Sequence, residues 1–435
     1  MSITTLVSGL GTFLVVFTSL HQVRRSAVLL LLVILMAPYL SIFGLDFRTE
    51  MILLPTLFGV LLLRRFYLGL AIPSVIWLLL ALWLWLFTVS AIGIMSGVVD
   101  SVLLINAYAF VRPILIVLIF FNLDLSHDDA WRLLRYFAYT AIPLGLLSIG
   151  QSLGIPLAII LTVEGYTSAF RTSVANLLEA TGTILRSTSI FESPVYAAVY
   201  FLLALGTALL WLMVPPEKLN HKQRLFLIIS VLCAAVGGLL TLSSTFFAGI
   251  SLLIIWLMFR LPIRRKIRFL LISIVFAVLL AFIVSLLGSH ESRLEGSLSY
   301  QVSRIVNLTL FDTRYDPERG FLANAIKAIL ERPLTGWGWS RLEDVFVGDS
   351  IYVVLAYYGG IIALGLFLIA LFFIALAALR SGFLGEILLL WLVVFLATGL
   401  GSPSFFIPRL GEWWWALVGI ALADNSRRRR VCCIK

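Results

Sequence analysis

Long apolar runs recur along this chain, many near the roughly 20 residues that a helix needs to cross a bilayer, with short basic clusters between them. SAVLLLLVILMAPYLSIFGL and RFLLISIVFAVLLAFIVSLLG are two such runs, and neither shows the polar/apolar alternation of a membrane barrel strand. A bilayer core cannot satisfy backbone amides, so non-barrel segments that cross it must be helical. Only 12% of the 435 residues are charged and 61% are hydrophobic, too few charges to cover a soluble surface of this size. The expected fold is therefore all-α, a polytopic integral membrane protein organised as one membrane domain over residues 1–435.

The net charge of +10 would suit nucleic acid if the basic residues formed one face. They lie instead between apolar runs, at Arg24-Arg25, Arg64-Arg65, Lys218/Lys222/Arg224, Arg264-Arg265-Lys266 and Arg427 to Arg430, which is the pattern of cytoplasmic loops. No nucleic-acid partner is expected. Apolar segments are read near 3–20, 26–44, 51–63, 70–96, 101–123, 134–154, 194–214, 224–242, 246–259, 268–288, 351–379, 385–402 and 411–424. With the arginine tail inside, strict alternation puts every basic cluster on the same side and residues 155–193 and 289–350 outside. The count is 12 or 13 spans, depending on whether 3–20 crosses or lies in the interface, and that choice sets the side of the N-terminus. Segment 3–20 lacks a basic leader and a small-residue cleavage site, so no processing is expected. Cys233 and the Cys432-Cys433 pair give no disulfide framework. The aromatic runs WLLLALWLWLF and EWWWALVGI read as belts at the lipid–water boundary.

Chemistry is expected in the two outer loops. The larger, 289–350, holds seven Lys/Arg against nine Asp/Glu, and a loop of that length in a compact protein is usually functional. Phe321, Ala325, Ala328 and Ile329 recur at helical spacing before Pro333, which predicts a short amphipathic helix lying on the membrane face. After it, PLTGWGW pairs Gly336 and Gly338 with Trp337 and Trp339, a tight turn with indoles at headgroup level. Asp349-Ser350 and Tyr352 then open the run that contains YYGG.

This order of an arginine, a helix, a P-L-x-G-x-G turn and a polar pair at the next span resembles the O-antigen ligase and polymerase superfamily. LRSTSIFESPVYAAVYFLLAL, with Arg186 and Pro194, is similar to that family's arginine-containing segment, although Glu192-Ser193-Pro194 replaces its commoner Asn-Pro version. GLLTLSSTFFAGISLLI lacks the arginine usual in the corresponding element and has Ser244 there. The resemblance implies a type C glycosyltransferase-like fold with short helices in a large periplasmic loop, in the bacterial inner membrane with the active site facing the periplasm. It implies a polysaccharide polymerase that transfers a glycan from an undecaprenyl-diphosphate-linked donor to the sugar of a second lipid-linked repeat. Membrane lipid and a chain-length regulator are the other implied partners. Asp349-Ser350 stands where ligases of the family carry His-Asn, which favours polymerase over ligase.

A departing diphosphate carries concentrated negative charge, which guanidinium neutralises in bidentate fashion without titrating. Arg186, Arg293, Arg304, Arg314, Arg319 and Arg341 lie in the outer loops; Arg186 and Arg319 match the motif positions and Arg314 stands third. Intramembrane Arg112, beside Pro113, either faces a cavity as a further diphosphate ligand, or snorkels to the interface or forms a structural ion pair. A base must take the acceptor's proton: Asp349 is the first candidate, with helix capping as its alternative role, and Glu192 the second. Ser350, Tyr352 and Trp339 are further candidate substrate contacts. The four histidines are dispersed and no ligand spacing is visible, so neither metal nor cofactor is expected. A ligase joining glycan to lipid A-core or protein, and a small-anion transporter, remain as alternatives; the transporter would call for internal repeats, and no convincing one is visible.

Overall fold

The computed structural model describes residues 3–38, 40–42, 45–65, 69–97, 105–123, 125–165, 187–260, 266, 312–316, 318, 320–339, 342, 345–348 and 350–433. In chain order these form α1 (Ile3–His21), α2 (Val23–Met36), the antiparallel pair β1 (Leu40–Ile42) and β2 (Leu45–Phe47), α3 (Thr49–Arg64), α4 (Ser74–Met95) and α5 (Ile105–Asn122). There follow α6 (His127–Tyr139), α7 (Ala141–Ser152), α8 (Pro156–Gly165), α9 (Pro194–Met213), α10 (His221–Leu240) and α11 (Ser244–Arg260). The last part holds α12 (Asp312–Tyr315), α13 (Ala323–Glu331), α14 (Ile351–Ala378), α15 (Gly382–Thr398), a 3₁₀ turn (Ser404–Phe406) and α16 (Leu410–Cys433).

Among the described residues five stretches, Ser74–Met95, His127–Ser152, Pro194–Met213, His221–Leu240 and Ile351–Ala378, are long and apolar enough to cross a membrane, and shorter apolar helices accompany them. The protein is an all-α membrane protein; among the described residues the helices are joined by one short hairpin. It divides into two compact units, residues 1–131 with 311–435, and residues 132–310.

Prolines account for two differences from the expected spans. The run at 26–44 is helical only to Met36, because Ala37 precedes Pro38 and takes an extended backbone, and a hairpin replaces the rest. The run at 134–154 begins earlier, at His127, and breaks at Thr140, where the missing amide of Pro143 frees the Tyr139 carbonyl. The expected outer loop 155–193 opens as helix α8, and the span expected at 268–288 lies outside the described residues.

Within the second unit, α9 is buried along nearly its whole length and packs against α10 and α11. Its start is specified locally: Ser193 Oγ accepts from the Val195 amide at 3.2 Å and Pro194 supplies the first helical residue. Helix α10 opens with a capping box, Gln223 N to Asn220 Oδ1 at 2.8 Å and Asn220 N to Gln223 Oε1 at 3.0 Å.

In the first unit, α14 is the organising element and it is broken. Gly359 and Gly360 leave helical geometry, Gly360 with φ +66°. Its broken ladder is repaired by the turn 333–338: Trp337 N donates to Tyr357 O at 2.8 Å, Gly338 N to Tyr358 O at 2.9 Å, and Ile361 N to Pro333 O at 2.8 Å. Helix α4 completes the repair, with Trp85 Nε1 donating to Gly359 O at 2.8 Å and Ser90 Oγ accepting from Trp339 N at 2.8 Å. Gly336 and Gly338 are left-handed, at φ +69° and +70°, and backbone atoms of α14 and α4 occupy the space where their Cβ atoms would lie.

Two expectations about apolar surfaces are corrected here. Trp413, Trp414 and Trp415 are fully buried rather than set in a lipid-facing belt, with Trp414 edge-on to Phe395 and Phe405. Most of the apolar stripe of α13 meets protein rather than the membrane face: Leu322, Ala325 and Val353 of α14 form a buried cluster with Tyr315, Ile326, Ile329, Val345 and Val347, while Phe321 stays exposed. An amphipathic stripe reports that one face is covered; it does not say by what.

Gly360→Ala should therefore lower the unfolding midpoint in detergent sharply, since an added methyl would collide with the Leu334 carbonyl in a left-handed backbone, a loss of about 2 kcal/mol or more. Gly365→Ala, in the same helix with nothing within 4 Å of its Cβ position, should leave the midpoint unchanged or raise it.

Candidate functional site

The sequence elements that carry the candidate chemistry of the first unit meet at the N-terminal end of α14. Ile351 N donates to Gly399 O at 3.0 Å, Tyr352 OH to Leu396 O at 2.7 Å, and Tyr315 OH to Leu400 O at 2.6 Å. Tyr315 and the adjacent pair Ile351-Tyr352, two segments distant in sequence, are thus fastened to the end of α15. The guanidinium of Arg314 lies against Gly401, in the space that any larger residue at 401 would fill. Behind it, Leu322 N donates to Arg314 O at 2.9 Å, Gly320 N to Asp316 O at 2.9 Å and Glu318 N to Asp316 Oδ1 at 2.9 Å. The residues on either side of position 319 are held in a closed turn next to Arg314.

Ser350 occupies the cap position of α14, yet its buried hydroxyl makes no cap bond and finds no hydrogen-bond partner among the described residues. An orphaned hydroxyl beside Tyr352 is a polar group held in reserve at cost, of the kind that a ligand can satisfy. Trp339 stands differently from its expected role. It is fully buried, stacked on Phe110 at 6.2 Å and edge-on to Phe87 at 6.4 Å, so it packs the interior and presents no face to a sugar.

Arg112 is also committed. It is buried on α5, where Nη1 lies 2.5 Å from Glu412 Oε1 of α16 and 3.6 Å from Glu50 Oε1 of α3, while Nη2 donates to Phe406 O at 3.2 Å. Tyr108 OH donates to Glu50 O at 3.4 Å, and the Arg48 charge also acts on Glu50. A diphosphate would have to displace two carboxylates to reach this guanidinium, which is the structural ion pair foreseen as the other reading of Arg112. Glu50 and Glu412 were not singled out from sequence. The available signal was their rarity: each is an acid at the edge of an apolar run, and a buried arginine requires such partners.

In the second unit, Glu192 is half-buried immediately before α9, next to Phe191 and Ser193. The segment leading to it is fastened by Gln151 of α7. Gln151 Oε1 accepts from Ser187 Oγ at 2.8 Å and from Ser189 N at 2.9 Å, while its Nε2 donates to Ser189 O at 2.9 Å. Ser189 itself is left-handed, at φ +49°, and Ser189 Oγ donates to Leu144 O at 3.1 Å. One side chain thus substitutes for the ladder that a buried irregular strand would otherwise need. Arg186, Arg319 and Asp349 lie outside the described residues, as do Arg293, Arg304 and Arg341.

Compared with known proteins, the chain matches no family model and no curated sequence.

Replacing Arg112 by Met alone should cost about 3–5 kcal/mol, because two carboxylates would be left buried without their counter-ion. The triple variant Arg112→Met, Glu50→Gln, Glu412→Gln should recover most of that loss, read as the unfolding midpoint in detergent. Gln151→Ala should cost about 1–3 kcal/mol in the same measurement by orphaning buried donors and acceptors around Ser187 and Ser189.

Proposed function

We propose that the protein is a membrane-embedded glycosyltransferase of the polysaccharide polymerase type, which extends a glycan by transfer between polyprenyl-diphosphate-linked repeats. The observation that supports this reading most directly is the convergence of separate segments on the first part of α14. Arg314, lying against Gly401, and the Ser350–Tyr352 segment meet around the end of α15, and the turn 333–338 that follows α13 is bonded to α14 about two turns farther on, at Tyr357 to Ile361. These are the elements on which the family resemblance rests.

In the proposed reaction the acceptor hydroxyl attacks the anomeric carbon of the donor, and the bond from that carbon to the diphosphate oxygen breaks with its electron pair on the leaving group. Arg319 and Arg314 neutralise the charge that develops on the diphosphate, and Asp349 takes the proton of the attacking hydroxyl. Tyr352 and Ser350 line the approach. The buried Arg112 cluster acts at one remove, by holding the chain around Phe406 in place.

The break in α14 supplies a reason to prefer transfer over ion transport. Unwound helices of transporters present carbonyls to a coordinated ion. Here the carbonyls of Tyr357, Tyr358 and Gly359 each accept a hydrogen bond from the protein itself.

The test is incubation of purified protein with lipid-linked repeat units in the presence of a chelator. A ladder of lengthened glycans is the expected product, and Arg319→Ala and Arg314→Ala should each reduce its rate by about 10²-fold or more. Asp349→Asn should reduce it by about 10²–10⁴-fold. Absence of a ladder, or equal ladders from wild type and the arginine variants, would overturn the reading, and a single addition to a non-repeat acceptor would identify a ligase.

A further inference from the structure

We propose that the segment Leu330–Trp337 is seated in the bilayer itself, with Leu330 and Leu334 at the boundary between headgroups and acyl chains and phospholipid as the surface that covers them. The inference does not rest on the proposed reaction. It starts from exposure: Leu330, at the end of α13, is 71% exposed and Leu334, in the turn that follows, 62%, although Leu322 and Ala325 on the other side of α13 are buried with Val353 of α14.

Backbone contact fixes which surface these leucines join. Ile361 N donates to Pro333 O at 2.8 Å, and Gly360 fits under the Leu334 carbonyl. Leu334 therefore adjoins Ile361, 60% exposed, which begins the exposed apolar side of α14 that continues through Ile362, Leu368, Ile369 and Phe372. The two surfaces are continuous.

Two helical rulers give the depth. From Ile361 to Ala378 the second part of α14 runs 18 residues, about 27 Å at 1.5 Å per residue, close to the roughly 30 Å of a hydrocarbon core. Arg380 follows its far end, so Gly360 falls near the opposite boundary. Helix α4 gives the second reading. Its Ser90 holds Trp339, yet exposed apolar residues continue past that level to Ile92 and Met95, the latter 88% exposed and about 7.5 Å farther along the axis. The turn thus lies within the length of α4 that is clothed in apolar side chains, not beyond it.

The polar residues of the segment suit the same location. The Arg332 guanidinium stacks on the Trp337 ring at 3.9 Å from its centroid. A long basic side chain over an indole is a common anchor at lipid phosphates.

The experiment is a nitroxide scan of the full-length protein in phosphatidylcholine/phosphatidylglycerol nanodiscs, in a Cys233→Ala, Cys432→Ser, Cys433→Ser background. Labels at Leu330→Cys and Leu334→Cys are compared with Lys327→Cys as the water reference and Phe372→Cys as the lipid reference. Both leucine positions should show a severalfold higher ratio of oxygen to nickel-chelate collisions than position 327, approaching that at 372. Nickel access equal to position 327 would place the segment in water and overturn the proposal. Shielding from both reagents would show that protein, including a second copy of the chain, covers it, and would overturn it equally.

Discussion

A helix that breaks inside a membrane protein must replace its lost backbone hydrogen bonds without help from water, and most of the first unit is arranged around that requirement. The break at Gly359-Gly360 is closed by backbone amides of the turn 333–338 and by one indole from α4. Because the donors are main-chain groups, the turn has no freedom to shift register. Gly336 and Gly338 are needed where they stand, α13 follows with its apolar face against α14, and the start of α14 is brought to the end of α15. The corner that holds Arg314, Tyr315, Ser350 and Tyr352 is a consequence of satisfying a few carbonyls.

The buried ion cluster is a second constraint, of a different energetic kind. Burying one guanidinium with two carboxylates is at best weakly stabilising relative to well-packed apolar groups, because desolvation consumes most of the Coulombic gain. What the cluster supplies is position. Arg112 holds the Phe406 carbonyl, Arg409 donates to Leu35 O at 3.0 Å from a left-handed backbone at φ +75°, and Trp413 Nε1 donates to Leu31 O at 3.0 Å. The connection between α15 and α16 is thus gripped at its end near Phe406 and again at Gly399 and Leu400, where Ile351 and Tyr315 bind. Thr398, Ser402 and Ser404 share hydroxyl contacts at 2.8 Å in the middle of it. Arg314 rests on Gly401, at the centre of this braced strip.

The helical membrane character was legible because it depends on composition and run length alone. So was the turn at PLTGWG, since two glycines in a polar interruption admit few other conformations. What that turn binds was not legible: its partners, Ser90, Trp85 and Gly359, are remote in sequence, and nothing local marks them. EWWW was misread for a related reason, as three indoles suit a lipid boundary and a crowded interior equally well, and only the neighbours Phe395 and Phe405 decide between them. Arg112 was marked as anomalous from its surroundings in the sequence, while its partners Glu50 and Glu412 had to be found in three dimensions. The role of Gln151, one amide serving a buried serine segment 36 to 38 residues away, left no sequence signal at all.

The bonds from α4 to the turn have a consequence for how the protein is made. Ser90 and Trp339 are separated by 249 positions, and Trp85 and Gly359 by 274. At roughly 5–20 residues per second a ribosome takes on the order of tens of seconds to cover that distance. Throughout that interval α4 resides in the lipid with its eventual partners still untranslated, so assembly of the first unit is necessarily a late event, completed after the second unit has already been threaded into the membrane.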